Sequence, residues 1–215
     1  MYKIDLHTHS VASGDGSLKI EDYRRMIKTG RLDYIAITDH NTIRYAKEAK
    51  KILKERIIIG EEILTQSGEI IGLYIKNEIQ AGLSLVDTIN AITKQSGIVY
   101  IPHPFDQLRH GLTKEQILSV IDKVDIIECY NSRSLKLING RGIKFWAKEN
   151  NLSYAASSDA HGKFGFGKTK TYVKLQPTRD NIVELLIAPQ YNSHFAGIIA
   201  RFYPTINRYL RIKND

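Results

Sequence analysis

The chain has 215 residues, 42% of them hydrophobic, enough for one sizeable core of barrel size and less suited to two small domains. Lysine and arginine outnumber aspartate and glutamate by 31 to 23, and the resulting charge of +8 favours anionic partners: phosphates, nucleic acid or an acidic membrane surface. A single cysteine, Cys129, excludes an intramolecular disulfide framework, and no apolar run reaches the ~18 residues that a membrane span needs.

The apolar opening Met1-Tyr2-Lys3-Ile4 is broken almost at once by Asp5, His7 and His9, unlike a signal peptide, so a cytoplasmic location is expected. In extended chain, side chains two apart share a face, so His7 and His9 of DLHTH can converge on one ion. A helical pattern follows over 20–30, closed by a glycine, then a β-branched strand over 34–38 and a helix over 42–55. The strand at 57–60 is followed by another at 69–75, a hairpin across Gln66-Ser67-Gly68. Further along lie a helix over 85–97, a strand over 98–101, a helix over 113–123 opened by Thr113, and a strand over 124–128. The pattern closes with a helix over 135–150, strands over 152–156 and 171–175, and a helix over 178–187. This alternation marks six or seven βα units around a parallel sheet, an α/β fold in a single domain over 1–188. Residues 189–215 form a basic, aromatic C-terminal extension that is expected to pack on the barrel as a terminal helix or hairpin.

Every cluster of candidate ligands falls at the C-terminal end of an expected strand. DLHTH follows YKI, TDH (38–40) ends YIAI, GEE (60–62) ends III, HP (103–104) ends IVYI, and SDAH (158–161) ends LSYAA. In a barrel of parallel strands that rim is where active sites are built, so residues distant in sequence meet there. The candidate set is His7, His9, Asp15, His40, Glu62, His103, Asp159 and His161. Imidazoles mixed with carboxylates suit Zn, Mn or Fe, and eight ligands exceed what one tetrahedral ion takes, so two or three divalent ions are expected. Paired ions share a bridging carboxylate, for which Glu62 is the candidate, lower the pKa of a bridging water and neutralise phosphoryl charge.

Taken in order, DLHTHS, TDH, GEE, the HP of PHPFD and SDAH resemble the motifs of the PHP (polymerase and histidinol phosphatase) superfamily over roughly residues 1–175. The resemblance implies a distorted TIM-like (β/α)7 barrel, a multinuclear metal centre and phosphoester hydrolysis, and it supports ligand roles for the eight residues. Two features depart from the usual pattern. The stretch HSVASGDG carries one extra residue before its aspartate, placing Asp15 six positions after His9. The strand ending in Glu128-Cys129-Tyr130-Asn131 lacks a histidine; Glu128 or Cys129 can complete a third metal site, and strand alternation turns only one of them inward. Cys129 is read as a buried structural thiol.

Asp5 and Asp39 neighbour ligating histidines and are expected to orient their imidazoles from behind. Arg109, His110, Arg133 and Arg141 follow rim strands, and Arg109 and Arg133 are the candidates for holding a substrate phosphate. The glycine-rich GKFGFGKT (162–169), with Lys163 and Lys168, is expected to be a loop able to cover the rim. It is not a nucleotide-binding P-loop, because the strand and helix around it are wrong. The expected function is a metal-dependent phosphoesterase acting through metal-activated hydroxide on a phosphorylated small molecule, a nucleotide or an oligonucleotide end. One alternative is an amidohydrolase-like metal hydrolase. The other is a nucleic-acid-binding or assembly platform, with the extension lying on RNA, an acidic partner or an anionic membrane.

Overall fold

The structure, a computed structural model, describes residues 1–134 and 140–212. Its strands are β1 (Tyr2–Asp5), β2 (Tyr34–Ile37), β3 (Ile57–Leu64), β4 (Glu69–Leu73), β5 (Ile98–Ile101), β6 (Ile126–Asn131), β7 (Ser153–Ser157), β8 (Lys170–Val173) and β9 (Gln190–Asn192). They form one sheet in the order β7-β6-β5-β4-β3-β2-β1-β8-β9. The sheet curls until its ends nearly meet. The Thr171 hydroxyl on β8 accepts from Ala156 N (2.8 Å) and donates to Ala156 O (2.9 Å) on β7. Beyond the strand ends, Asp159 N donates to His7 O and His9 N to Ala160 O, both at 2.9 Å.

The barrel is distorted at two places. β4 runs antiparallel to both β3 and β5, because the link from Leu64 to Glu69 is a tight turn in which Thr65 N donates to Gly68 O (2.9 Å). A parallel return would need a crossover of a dozen residues or more. β8 is likewise antiparallel to β1 and to β9. The other pairings, β1–β2, β2–β3, β5–β6 and β6–β7, are parallel as the βα pattern implies.

The helices are α1 (Ile20–Lys28), α2 (Arg44–Leu53), α3 (Leu85–Lys94), α4 (Lys114–Leu118), α5 (Arg141–Glu149), α6 (Ile182–Leu185) and α7 (Ile198–Ile212). Several start on side-chain caps: the Ser84 hydroxyl accepts from Asp87 N, and Thr113 and Gln116 cap one another's backbone at α4. The helix expected over 135–150 starts at Arg141 among the described residues; positions 135–139 lie outside them.

Alternate strand residues fill the lumen: Ile4, Ala36, Ile58, Ile71, Tyr100, Ile126 and Ala155 pack there, floored by Ile182 and Leu186 of the α6 segment. The outward residues pack against helices, Ile35, Ile37 and Ile57 meeting α1 and α2, and Val99, Ile101 and Ile127 meeting α3 and α5. The extension supplies β9 and α7. Asn207 on α7 donates Nδ2 to Asp15 O (2.7 Å) and His161 O (3.1 Å), and Arg201 donates to Arg133 O (3.0 Å). These bonds bring α7 to the rim. None of the described helices is long and apolar enough to cross a membrane.

Candidate metal centre

The lumen is apolar at its floor and polar at one end. On β3 the inward sequence Ile58, Gly60, Glu62 carries a carboxylate up to that end, while Glu61 faces outward and accepts from Ile79 N (2.9 Å). On β4, which runs the other way, the residue at the same end is its first, Glu69. β6 needs a further device. A register shift between Glu128 and Tyr130 inserts Cys129 as an unpaired residue, so Glu128 and Asn131, three apart, reach the same side; Asn131 Nδ2 donates to Glu128 Oε2 at 2.8 Å. Cys129 turns to the helix-side core, where burial pushes its thiol up to about 12.

All eight expected residues meet here. Their donor atoms form overlapping groups lying within 4.8 Å: His9, Asp15, His40 and His161; His7, Glu62 and His103; His7, His9 and Asp159; and His40, Glu62 and Glu69. Glu62 belongs to two of these groups and lies against imidazoles of all four. Its Oε1 lies 2.9 Å from His103 Nε2, and its Oε2 lies 3.1 Å from His9 Nε2, 3.3 Å from His7 Nε2 and 3.3 Å from His40 Nδ1. His9 and His161 stack at 3.9 Å between ring centres. Two of the set, His103 and Asp159, hold left-handed backbone, with φ of +29° and +49°. For non-glycine residues such strain concentrates at functional sites.

The electrostatics fit a cation at this place. The Nε2 atoms of His7 and His9 face each other at 3.1 Å, so a single proton between them is the most that this contact holds. Burial and the neighbouring His161 push His9 well below the ordinary imidazole range. Burial also opposes charge on His7, but Glu62, Asp159 and Glu128 outweigh it and lift His7 well above that range. His40 is raised to about 9, Glu62 and Asp15 overcoming its burial. Glu62 is held well below the carboxylate range by His7 and His40 against its burial, whereas burial and then Glu62 push Glu69 up to about 8. Asp15 Oδ1 and His103 Nδ1 are buried without a hydrogen-bond partner. Converging nitrogen lone pairs and ionised carboxylates in one buried pocket are what divalent Zn, Mn or Fe would satisfy.

Around this set the structure revises several expectations. Glu128 belongs to none of the donor groups: its oxygens lie 3.2 Å from His7 Nδ1 and accept from Tyr100 OH (3.0 Å) and His103 N (2.6 Å). It orients His7 in the manner expected of Asp5 and Asp39. Those two aspartates hold neighbouring loop residues instead. Asp5 Oδ1 accepts from Ser158 N (3.0 Å), and Asp39 accepts from Ser10 N and Ser10 Oγ, both at 2.6 Å. The other ring nitrogen of His9 meets Ser13 Oγ at 2.9 Å. Arg109 and Arg133 both reach Asp159, Arg133 at 2.9 Å, and both line the cleft over the rim together with His110. Arg141 is exposed on α5 and does not line that cleft. The loop with Lys163 and Lys168 does not cover the rim: Lys163 pairs with Asp22 on α1 (3.5 Å), and Gly162 lies so close under Tyr203 of α7 that a Cβ would meet the ring at 2.7 Å. Glu69, Arg201 and Arg208 also line the cleft, and Arg208 donates to Asp15 Oδ2 at 2.9 Å. Sequence reasoning missed Glu69, and it read Arg201 and Arg208 as cations of the basic extension rather than of this cleft. Glu69 stands at the start of its strand, and the two arginines look like ordinary surface charges of a terminal helix.

The chain is 37% identical over 142 residues to the uncharacterized protein MJ1587 of Methanocaldococcus jannaschii, and 34% identical over 164 residues to MJ0417 of the same organism. These matches cover 60% and 74% of this chain, and 83% and 65% of the respective relatives. The fold resembles a two-domain protein of Bacteroides vulgatus, described as containing a predicted PHP-like metal-dependent phosphoesterase. The TM-score is 0.70 at 21% identity, over 90% of this chain and 65% of that one. The PHP domain family model matches residues 5–200, so the chain belongs to the PHP domain family.

Proposed function

We propose that the chain is a metal-dependent phosphoric ester hydrolase acting on a phosphomonoester or phosphodiester: a small phosphate, a nucleotide or the end of an oligonucleotide. The observation that carries this reading is Glu62 set among four imidazoles, with Arg109 and Arg133 lining the same cleft. His7, His9, Asp15, His40, Glu62, His103, Asp159 and His161 would hold two or three divalent ions, Glu62 offering an oxygen to two donor groups and Glu69 an added donor. Such ions lower the pKa of water and offset the charge on a phosphoryl group. Arg109 and Arg133 offer planar, permanently charged donors to phosphate oxygens, and their bonds to Asp159 hold both guanidiniums in place before substrate arrives. Glu128 fixes His7 through its Nδ1, leaving Nε2 turned toward the centre.

The test is hydrolysis of p-nitrophenyl phosphate and bis(p-nitrophenyl) phosphate by purified protein, with and without added Mn. Activity that a chelator removes, Mn restores and Glu62→Gln abolishes supports the reading, and the faster substrate assigns the ester class. Inactivity toward both esters in protein shown to contain metal would overturn it.

A further inference from the structure

A cleft of about 320 Å³ opens above the rim, and α7 forms one of its walls. Four arginines line it, Arg109 and Arg133 from the strand-end loops and Arg201 and Arg208 from α7. The first pair is anchored on Asp159. The second pair comes from a different element: Arg201 donates one bond to the backbone of Arg133, and Arg208, with its side chain 65% exposed, donates one to Asp15. A guanidinium has five N–H donors, so Arg201 and Arg208 each retain several for a ligand.

Charge separates one anion from two. The carboxylates lining the cleft are Asp15, Glu62, Glu69 and Asp159, as many as the arginines, so with all four ionised around bound cations these formal charges cancel. The charge of bound ions is then left for the substrate. Two divalent ions would supply roughly four positive charges, and a hydroxide with a phosphomonoester roughly three negative ones, which leaves a net positive charge over the cleft. Two large apolar side chains also line this cleft, Leu108 and Phe202, 78% and 53% exposed. They offer a surface for an uncharged scaffold between charged ends.

We infer that Arg201 and Arg208 form a second anion subsite, and that the substrate is a phosphate ester carrying a further phosphoryl group, its carbon scaffold resting against Leu108 and Phe202. The inference relies on the phosphoesterase reading for the first subsite. Metal-loaded protein is titrated calorimetrically with the α,ω-bisphosphonates of ethane, propane and butane, each compared with its alkyl monophosphonate; their C–P bonds resist hydrolysis. At least one bisphosphonate is expected to bind about tenfold or more tightly than its monophosphonate. In Arg201→Ala/Arg208→Ala that ratio falls to the roughly twofold statistical advantage of two equivalent ends, while Arg201→Lys/Arg208→Lys keeps part of the preference. Circular dichroism checks the fold; if the double alanine variant does not fold, Arg201→Gln alone carries the comparison. Ratios of twofold or less throughout the wild-type series, or a preference that survives loss of the arginines, would overturn the inference. Failure of the phosphoesterase reading is seen separately, as absent hydrolysis of aryl phosphates.

Discussion

Glu61 and Glu62 are adjacent on β3 and face opposite ways, so the same change at each has opposite consequences. Glu61 is fully buried; its Oε2 accepts from Ile79 N at 2.9 Å and its Oε1 has no hydrogen-bond partner. Burial raises its carboxyl from 4.5 to about 7. The folded state therefore holds the proton more tightly than the unfolded chain. The associated stability is complete below pH ~4.5 and is lost as pH rises through ~7. That displacement corresponds to at most about 3 kcal/mol, since each pH unit is worth about 1.4 kcal/mol. Glu61→Gln, which keeps the neutral shape, is expected to match the wild type within ~1 kcal/mol at pH 4.5 and to exceed it by about 2–3 kcal/mol at pH 8. Urea unfolding of chelator-treated protein at both pH values measures this, because every other titrating group is shared by the two proteins. The variant should also bind metal normally, whereas Glu62→Gln should not. A difference between the two proteins that is the same at pH 4.5 and 8 would refute the burial argument. Loss of metal in Glu61→Gln would refute the assignment of faces.

Other variants probe other supports. A Cβ at Gly16 would stand 2.1 Å from Ser10 O and 2.9 Å from His9 O, so Gly16→Ala should destabilise the protein by about 1–3 kcal/mol and weaken metal binding through Asp15, read by thermal melts and metal titration. Glu128→Gln removes the charged partner of His7 Nδ1 and should lower metal affinity about 10- to 100-fold with the fold intact, measured by competition with a chelating dye. Arg109→Lys, which keeps a cation beside Asp159 but loses the planar fork, should raise KM for aryl phosphates by about tenfold with metal still bound.

The positions that gather at the polar end of the barrel were legible in the sequence, as were the βα alternation and the hairpin of β3 with β4, but the reversal of β8 was not. The expected ligands come together because each follows or ends a strand of one curled sheet, and in parallel strands that end is common to all. The same rule hid Glu69. In an antiparallel strand the rim residue comes first, so a search of strand ends passes over it. The aspartates beside the ligands were assigned to imidazoles by adjacency, whereas the fold uses Asp5 and Asp39 to tie strand-end backbone together. Glu128 gained its place behind His7 from a bulge that alternation alone does not foresee. The arginines of α7 enter the cleft only through the tertiary path of the extension, for which local periodicity carries no signal.

We read the polar end of the barrel as a multinuclear metal centre. The most direct measurement is the metal content of the purified protein after dialysis against Zn or Mn, by inductively coupled plasma mass spectrometry, for wild type and Glu62→Gln. The arrangement of donors around Glu62 predicts two or more ions per chain in the wild type and a loss of at least one in the variant. Fewer than one ion per chain in the wild type, or the same stoichiometry in both proteins, would contradict it.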